Sequence, residues 1–145
     1  MFLILVLVIG SYAQQQLVQA PGSRFMAKTS ISKALKASAD EDAIIRAIIG
    51  EAANQGVEGM TAVGEVIRNR GNSLKGIFGA DSPMVAKQPQ WVFDLAKQAW
   101  KASEKSNLTG GATHWENVEA FGVPYWAEGM QQTSKIKNHT FFRRK

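Results

Sequence analysis

Cysteine is absent from the chain, which excludes disulfides and thiolate metal sites. Histidine is scarce: neither His114 nor His139 stands in an HExxH-like spacing, so no metal and no other cofactor is expected. The glycine-rich patterns of nucleotide-binding loops and the Gly-x-Ser-x-Gly pattern of serine hydrolases are missing as well. Any chemistry must therefore come from ordinary side chains.

The length and charge of the chain set wide limits. Its 145 residues suffice for one domain with a real core, and a hydrophobic content of 45% argues against global disorder. Lys and Arg outnumber Asp and Glu by 17 to 12, which gives a net charge of +5. Such a surface favours nucleic acid, anionic lipid or the acidic polymers of a bacterial envelope, and charge alone does not choose among them.

The N-terminal sequence MFLILVLVI is apolar throughout but too short to span a bilayer, which needs about 20 residues. Its length suits the h-region of a secretory signal, and Ser11-Tyr12-Ala13 is an A-x-A-like cleavage site. Because no Lys or Arg precedes the run, an apolar strand docked on the domain stays the alternative. We favour export and predict a signal peptide over residues 1–13 and no stable membrane span.

Residues 14–39 mix Gln, Ala, Ser and Lys without a sustained period, which is typical of a linker or a loosely packed arm. The remaining residues, 40–145, are predicted to form the functional domain. Its first helix is expected to start at the acidic run 40–42, which can cap free backbone donors, and to bury a stripe of isoleucines. Further helices are predicted over residues 58–69 and 91–105, and short strands near residues 112–115 or 140–143.

Glu51 is the sharpest candidate for catalysis, because it stands where the apolar stripe of the first helix ends. The helix dipole disfavours an anion at a helix C-terminus, and apolar neighbours add a desolvation cost, so both effects favour the protonated acid. Such an acid is what protonation of a glycosidic oxygen requires. The alternative, which periodicity alone favours, is a carboxylate that faces solvent beside Asn54.

Two other acids have structural interpretations. Glu65 shares a helix face with Glu58 and Arg68, so a solvated, salt-bridging surface is predicted there. Asp94 is interpreted as a first-turn acid of the third helix.

Aromatic residues are concentrated in the last third of the chain, interleaved with Gly and Asn. They suit the packing of apolar sugar faces, although aromatics belong to a core more often than to a ligand platform. Both histidines are by default satisfied polar residues among these rings. The loop-like segment over residues 73–90 is expected to form one wall of a cleft.

Five sequence blocks follow one another from residue 48 onwards: IIGEAANQGVEGMTAVGEVIRNR, QPQW, TGGATHWEN, PYW and KIKNHTFFR. In this order they resemble the SleB-like family of cell wall hydrolases, the spore-cortex-lytic type. The resemblance covers about residues 43–143. It implies a mainly α fold, α+β at most, in which a small lysozyme-like domain with few short strands binds a peptidoglycan glycan strand in a groove.

The resemblance also implies the site. The catalytic glutamate of the family falls on Glu51, which would protonate the oxygen between N-acetylmuramic acid and N-acetylglucosamine. As in lytic transglycosylases, the same residue would then act as base on the muramyl 6-hydroxyl and close a 1,6-anhydro ring; a hydrolysing muramidase is the other type. The groove residues implied are Gln90, Trp91, His114, Asn117 and Tyr125.

Two positions depart from the family pattern. Val92 follows Gln90-Trp91 where relatives usually carry Ser, and Ala-Asn-Gln-Gly follows Glu51-Ala52 where relatives often carry an Arg and a second acid. Substrate positioning is therefore expected to differ.

Three functions follow from these observations. The first is a secreted or phage-encoded peptidoglycan glycosidase of the cell envelope, acting in the periplasm or cell wall. The second is a non-catalytic glycan-binding module on the same fold. The third is a helix-turn-helix DNA-binding protein, which the acids Glu58 and Glu65 in the second helix and the export signal both disfavour. The first hypothesis implies peptidoglycan as the partner and no nucleic acid.

Overall fold

The computed structural model describes residues 21–145. The predicted signal peptide and residues 14–20 of the predicted arm lie outside the described residues. Within this range the chain forms five α-helices and three strands: α1 (Pro21–Ala52), α2 (Gly56–Asn69), α3 (Pro83–Ala86), α4 (Gln90–Ala102), β1 (His114–Glu116), α5 (Val118–Phe121), β2 (Met130–Ile136) and β3 (His139–Arg144). The predicted mainly helical class with few strands is confirmed.

The first helix starts earlier than the sequence predicts. Helix α1 begins at Pro21, and Asp40, Glu41 and Asp42 are exposed residues within it, so the prediction of a helix start at Asp40 is wrong. After Gly22 the segment contains neither Gly nor Pro, and its Ala and Lys residues are good helix formers, so nothing stops the helix before Asp40. No described helix is both long enough and apolar enough to cross a membrane.

Residues 36–145 form one compact unit, which contains the core. The apolar stripe of α1 packs with buried faces of α2 and α4, as the predicted periodicities require. Burial of each of these large aliphatic side chains contributes about 1.5–3 kcal/mol. The central members are Ile44, Ile45, Ile48, Ile49, Met60, Val63, Ile67, Val92 and Trp100.

The three strands form an antiparallel sheet in the order β1-β3-β2. Strands β1 and β3 confirm the two predicted strand positions. Strand β2 was not predicted, because MQQTSKI has no alternation of apolar and polar residues and a register shift between Gln132 and Ser134 interrupts the pairing. Phe141 of β3 is fully buried and packs with Ala62 and Val66 of α2, which joins the sheet to the helices.

Glu65 does not lie on a solvated surface, so that prediction is wrong. Its side chain is buried, and its carboxylate accepts four hydrogen bonds from the segment after α4. The donors are the hydroxyls of Ser106 and Thr109, both at 2.6 Å, and the backbone N–H groups of Leu108 and Thr109, at 2.9 and 3.0 Å. The physical reason is that the chain after α4 folds back over this face of α2.

The other two residues of the predicted face differ from Glu65. Glu58 is exposed and pairs with Lys137 at 3.0 Å, as expected of a surface acid. The Cζ atom of the Arg68 guanidinium lies 3.5 Å from the centroid of the Trp100 ring. The guanidinium also donates hydrogen bonds to the Ser103 hydroxyl and the Trp100 carbonyl.

Candidate active site

A cleft of about 650 Å³ opens beside the C-terminal end of α1. One wall is the end of that helix, with Gly50 and Glu51. Phe78 and Met84 lie on a second wall, formed by the segment between α2 and α4. Strand β1, at the edge of the sheet, supplies the third wall of the cleft. The prediction that residues 73–90 form a cleft wall is confirmed.

Glu51 occupies the last turn of α1 and is half-buried at the cleft. Its Oε1 accepts a hydrogen bond from the backbone N–H of Gly79 at 3.0 Å. Among the described residues no protein group bonds to Oε2. The carboxyl group therefore has one oxygen fixed by the protein and one oxygen available to a substrate.

Two glycines make this hydrogen bond possible. A Cβ on Gly50 would lie 2.1 Å from the carbonyl oxygen of Gly79, and a Cβ on Gly79 would lie 2.8 Å from Oε1 of Glu51. Both distances are far below van der Waals contact, so neither position accommodates a side chain without displacing backbone. The backbone segments approach closely, and this approach places the N–H donor against the acid.

Gln55 connects the end of α1 to the β2–β3 turn. It is buried, its amide nitrogen lies 3.3 and 3.4 Å from the two ring nitrogens of His139, and its Oε1 accepts from the Asn138 N–H at 3.4 Å. The same amide nitrogen also donates to the Glu51 carbonyl at 3.4 Å. Gly59 leaves room for this side chain, since a Cβ there would lie 2.4 Å from Gln55 Cβ.

His139 lines the cleft and is held neutral. Burial lowers its pKa to about 4. An amide N–H only donates, so the facing ring nitrogen of His139 accepts, which requires the neutral imidazole. Trp115 and Phe141 flank the ring with centroids at 6.2 and 6.1 Å. The prediction of a satisfied histidine among aromatic rings is confirmed at this position.

Strand β1 and the residue after it place polar groups on the third wall. His114, Glu116 and Asn117 all line the cleft. His114 pairs with the Thr113 hydroxyl at 2.9 Å, and burial together with the charges of Arg70 and Arg144 lowers its pKa. Glu116 is a second cleft carboxylate that was not singled out from the sequence, and its Oε1 accepts from the Asn117 N–H at 2.9 Å.

The structure brings together only part of the predicted set. Among the described residues, the cleft lining includes Glu51, His114 and Asn117 but not Gln90, Trp91 or Tyr125. Gln90 is the first residue of α4, and its Nε2 donates a hydrogen bond of 3.1 Å to Oδ1 of Asp94 on the same helix. The prediction that Asp94 is a first-turn acid is wrong, because α4 begins at Gln90 and Asp94 lies beyond its first turn.

Trp91 and Tyr125 are both surface residues. The two residues are 64% and 88% exposed. Their roles in substrate binding stay predictions.

Several cleft residues were missed. Phe78 and Phe121 line the cleft although 80% and 79% of their surfaces are exposed. Exposed aromatic rings on a concave surface are suited to stacking against sugars. Neither ring was assigned to the cleft from the sequence, because no pattern distinguishes a cleft ring from a core ring.

No family model and no curated protein matches the chain. Two solved structures match it in fold. The catalytic domain of the Bacillus cereus SleB protein is 26% identical with a TM-score of 0.53, and the match covers 72% of this chain and 89% of that one. The resemblance to SleB-like cell wall hydrolases is confirmed. The catalytic domain of the germination-specific lytic transglycosylase SleB from Bacillus anthracis is 25% identical with a TM-score of 0.52, covering 72% and 93%.

The SleB match also confirms the lysozyme-like fold that the sequence blocks imply. It spans most of both SleB catalytic domains, so the likeness concerns the whole domain rather than a single helix pair. The roles of individual residues rest on the geometry of the cleft.

Proposed function

We propose that this protein is a peptidoglycan glycosidase that cleaves the bond between N-acetylmuramic acid and N-acetylglucosamine, with Glu51 as its acid. The observation that carries the proposal is the carboxyl group of Glu51, which lies on the cleft with Oε1 fixed by Gly79 and Oε2 without a protein partner in the described structure. The likeness to a lytic transglycosylase supports the reaction class. Because its substrate is cell wall, the protein would act outside the cytoplasm.

The first step is proton donation. Glu51, in its acid form, donates the proton to the glycosidic oxygen, the bond from the muramyl C1 to that oxygen breaks, and positive charge develops at C1. The resulting carboxylate then removes the proton of the muramyl 6-hydroxyl, whose oxygen attacks C1. The product is a 1,6-anhydro ring, and Glu51 regains its proton. One carboxyl group suffices for both steps.

Hydrolysis is the second outcome that the cleft allows. Glu116 also lines the cleft, and a glycosidase with two carboxylates can activate water instead of the 6-hydroxyl. We favour the anhydro product for two reasons. Oε1 of Glu116 already accepts a hydrogen bond from the Asn117 N–H. One of the two solved structures that this chain resembles is a lytic transglycosylase.

The DNA-binding hypothesis loses support from the burial of α2. Residues Gly59–Ile67 of this helix are buried, so their side chains are not free to enter a DNA groove.

The test combines a glutamate series with product analysis. Glu51→Gln is expected to reduce solubilisation of purified peptidoglycan by about 10²–10⁴-fold, because it removes the proton donor. Glu58→Gln, an exposed acid away from the cleft, is the matched control. Undiminished lysis by Glu51→Gln would contradict the proposal, and wall binding by the unmodified chain without release of fragments would favour the binding module.

Mass analysis of the released fragments separates the two mechanisms. Anhydro ends are lighter than reducing ends by one water, and Glu116→Gln should leave their formation largely intact. Reducing ends that disappear in Glu116→Gln would show hydrolysis by two carboxylates.

A further inference from the structure

A smaller pocket adjoins the cleft, and the two share a pair of rings. His114 and Trp126 line both cavities, with ring centroids 5.3 Å apart. The smaller pocket continues beyond these rings to Glu128 and Arg144. We refer to this region, lined by His114, Trp126, Glu128, Gly129, Met130, Arg144 and Lys145, as the side pocket. Because they share these two lining residues, the side pocket and the cleft adjoin at the ring pair.

The side pocket is lined by one anion, Glu128, and two cations, Arg144 and Lys145, and the described structure forms no ion pair among them. Arg144 and Glu128 are both exposed, and in the described part of the chain neither side chain forms a hydrogen bond or an ion pair with protein. Surface charges of opposite sign that share one concavity without pairing remain available to a ligand. A ligand with both a carboxylate and an ammonium group would complement them.

The neighbouring arginine provides a contrast on the same strand. Successive side chains of a strand point to opposite faces, so Arg143 and Arg144 are directed apart. Arg143 donates two hydrogen bonds to Oε1 of Gln131, at 3.1 and 3.0 Å, and does not line the side pocket. Arg144 lines the side pocket, and in the described structure none of its guanidinium N–H groups donates to a protein acceptor.

A second arginine lies on the cleft side of the ring pair. Arg70 lines the cleft, and its guanidinium donates to the carbonyl of Lys75. Arg70 and Arg144 both act on His114, whose pKa they help to lower, so each of the two cavities has an arginine near the ring pair. These two arginines would attract an anionic branch of a cleft-bound ligand towards the side pocket.

We propose that the side pocket binds the peptide stem of the muramyl sugar, with Arg144 receiving a stem carboxylate. The inference rests on the proposed function, because it takes the glycan strand as the ligand of the cleft. A muramyl unit carries its peptide on a lactyl ether, and such stems have free carboxylates and, where a diamino acid is unlinked, an ammonium group. Arg144 pairs with a stem carboxylate in a charge-assisted hydrogen bond, and Glu128 pairs with the ammonium group.

The experiment measures binding, so it does not depend on cleavage. The full chain with Glu51→Gln is titrated calorimetrically with a disaccharide-peptide and with the same disaccharide freed of its peptide. Arg144→Gln in this background should weaken binding of the disaccharide-peptide by about tenfold, the effect of one hydrogen bond to a charged group, and leave the stripped disaccharide unchanged. Arg144→Lys should restore part of the affinity.

Arg143→Gln is the matched control and should change neither affinity. Glu128→Gln should weaken only ligands that carry a free side-chain ammonium. The proposal would be overturned if Arg144→Gln weakened binding of both sugars equally, or if it did not weaken binding of the disaccharide-peptide. It would also be overturned if the unsubstituted Arg144 background bound the disaccharide-peptide no more tightly than the stripped disaccharide. If the unmodified chain binds the disaccharide-peptide but releases no fragments from peptidoglycan, the proposed function fails and the side pocket stands.

Discussion

Glu65 and Glu51 are two carboxylates in neighbouring helices with opposite surroundings. Glu65 is buried and accepts four hydrogen bonds, two at each oxygen, whereas Glu51 lies at a cleft and accepts one. A carboxylate whose acceptor sites are occupied by protein holds a loop in place. A carboxylate with an unoccupied oxygen at a cleft can transfer a proton. The number of protein donors, rather than position in a helix, separates the structural acid from the candidate catalyst.

The largest effect on stability is expected from Glu65→Ala. The substitution leaves the buried N–H of Thr109 and the partly buried N–H of Leu108 without their acceptor, and the loss at a buried donor costs about 1–3 kcal/mol. We expect the free energy of unfolding to fall by about 2–5 kcal/mol in urea titrations.

Glu58→Ala on the same helix is the control for this measurement. Its exposed pair with Lys137 should contribute no more than about 1 kcal/mol. Equal destabilisation by the two substitutions would remove the distinction between the two kinds of acid.

Gly50→Ala is expected to have a smaller effect on stability, and the sign of that effect distinguishes helix propensity from the close approach of Gly79. Helix propensity alone predicts that alanine stabilises α1 by about 1 kcal/mol. The new Cβ would however lie 2.1 Å from the Gly79 carbonyl oxygen, so we expect destabilisation of about 1–3 kcal/mol and a loss of lysis as Gly79 moves from Glu51. Thermal unfolding and turbidity assays measure the two effects. A stabilised, fully active variant would show that the close approach is unimportant.

A further effect is a pH dependence near Glu51. His139 has a pKa of about 4 in the folded chain and near 6.5 when unfolded, so the unfolded state binds more protons between these values. The contribution of the neutral imidazole is complete above pH 6.5 and is lost as the pH falls towards 4. His139→Gln should therefore flatten the decline of Tm between pH 6.5 and 4.5. An unchanged slope would mean that His139 is not buried in its neutral form.

Periodicity predicted those elements that have a repeating apolar face. Helices α2 and α4 were placed correctly because their buried stripes recur at helical spacing. Glu51 was singled out because a helix end can be recognised from its neighbours in sequence. The residues that complete its surroundings were not predicted, because Gly79 and His139 lie 28 and 88 positions further along the chain.

Burial of polar groups was the least predictable property. Nothing in the residues around Glu65 shows that it is buried, since its donors are a hydroxyl-rich segment 41–44 positions away. Strand β2 was missed for a related reason, because hydrogen bonding to β3 rather than an apolar face defines it. Pairings between distant polar segments leave no local pattern.

The hydrogen bond from Gly79 makes one backbone amide a reporter of the candidate catalyst. The amide proton points at Oε1 of Glu51, so its NMR chemical shift changes when that carboxyl group gains or loses a proton. Glycine amides resonate in a sparsely populated region of the nitrogen spectrum, which makes the signal accessible in a chain of this size. A titration that follows this single resonance would read the protonation state of Glu51 directly, in the resting protein and with a glycan bound.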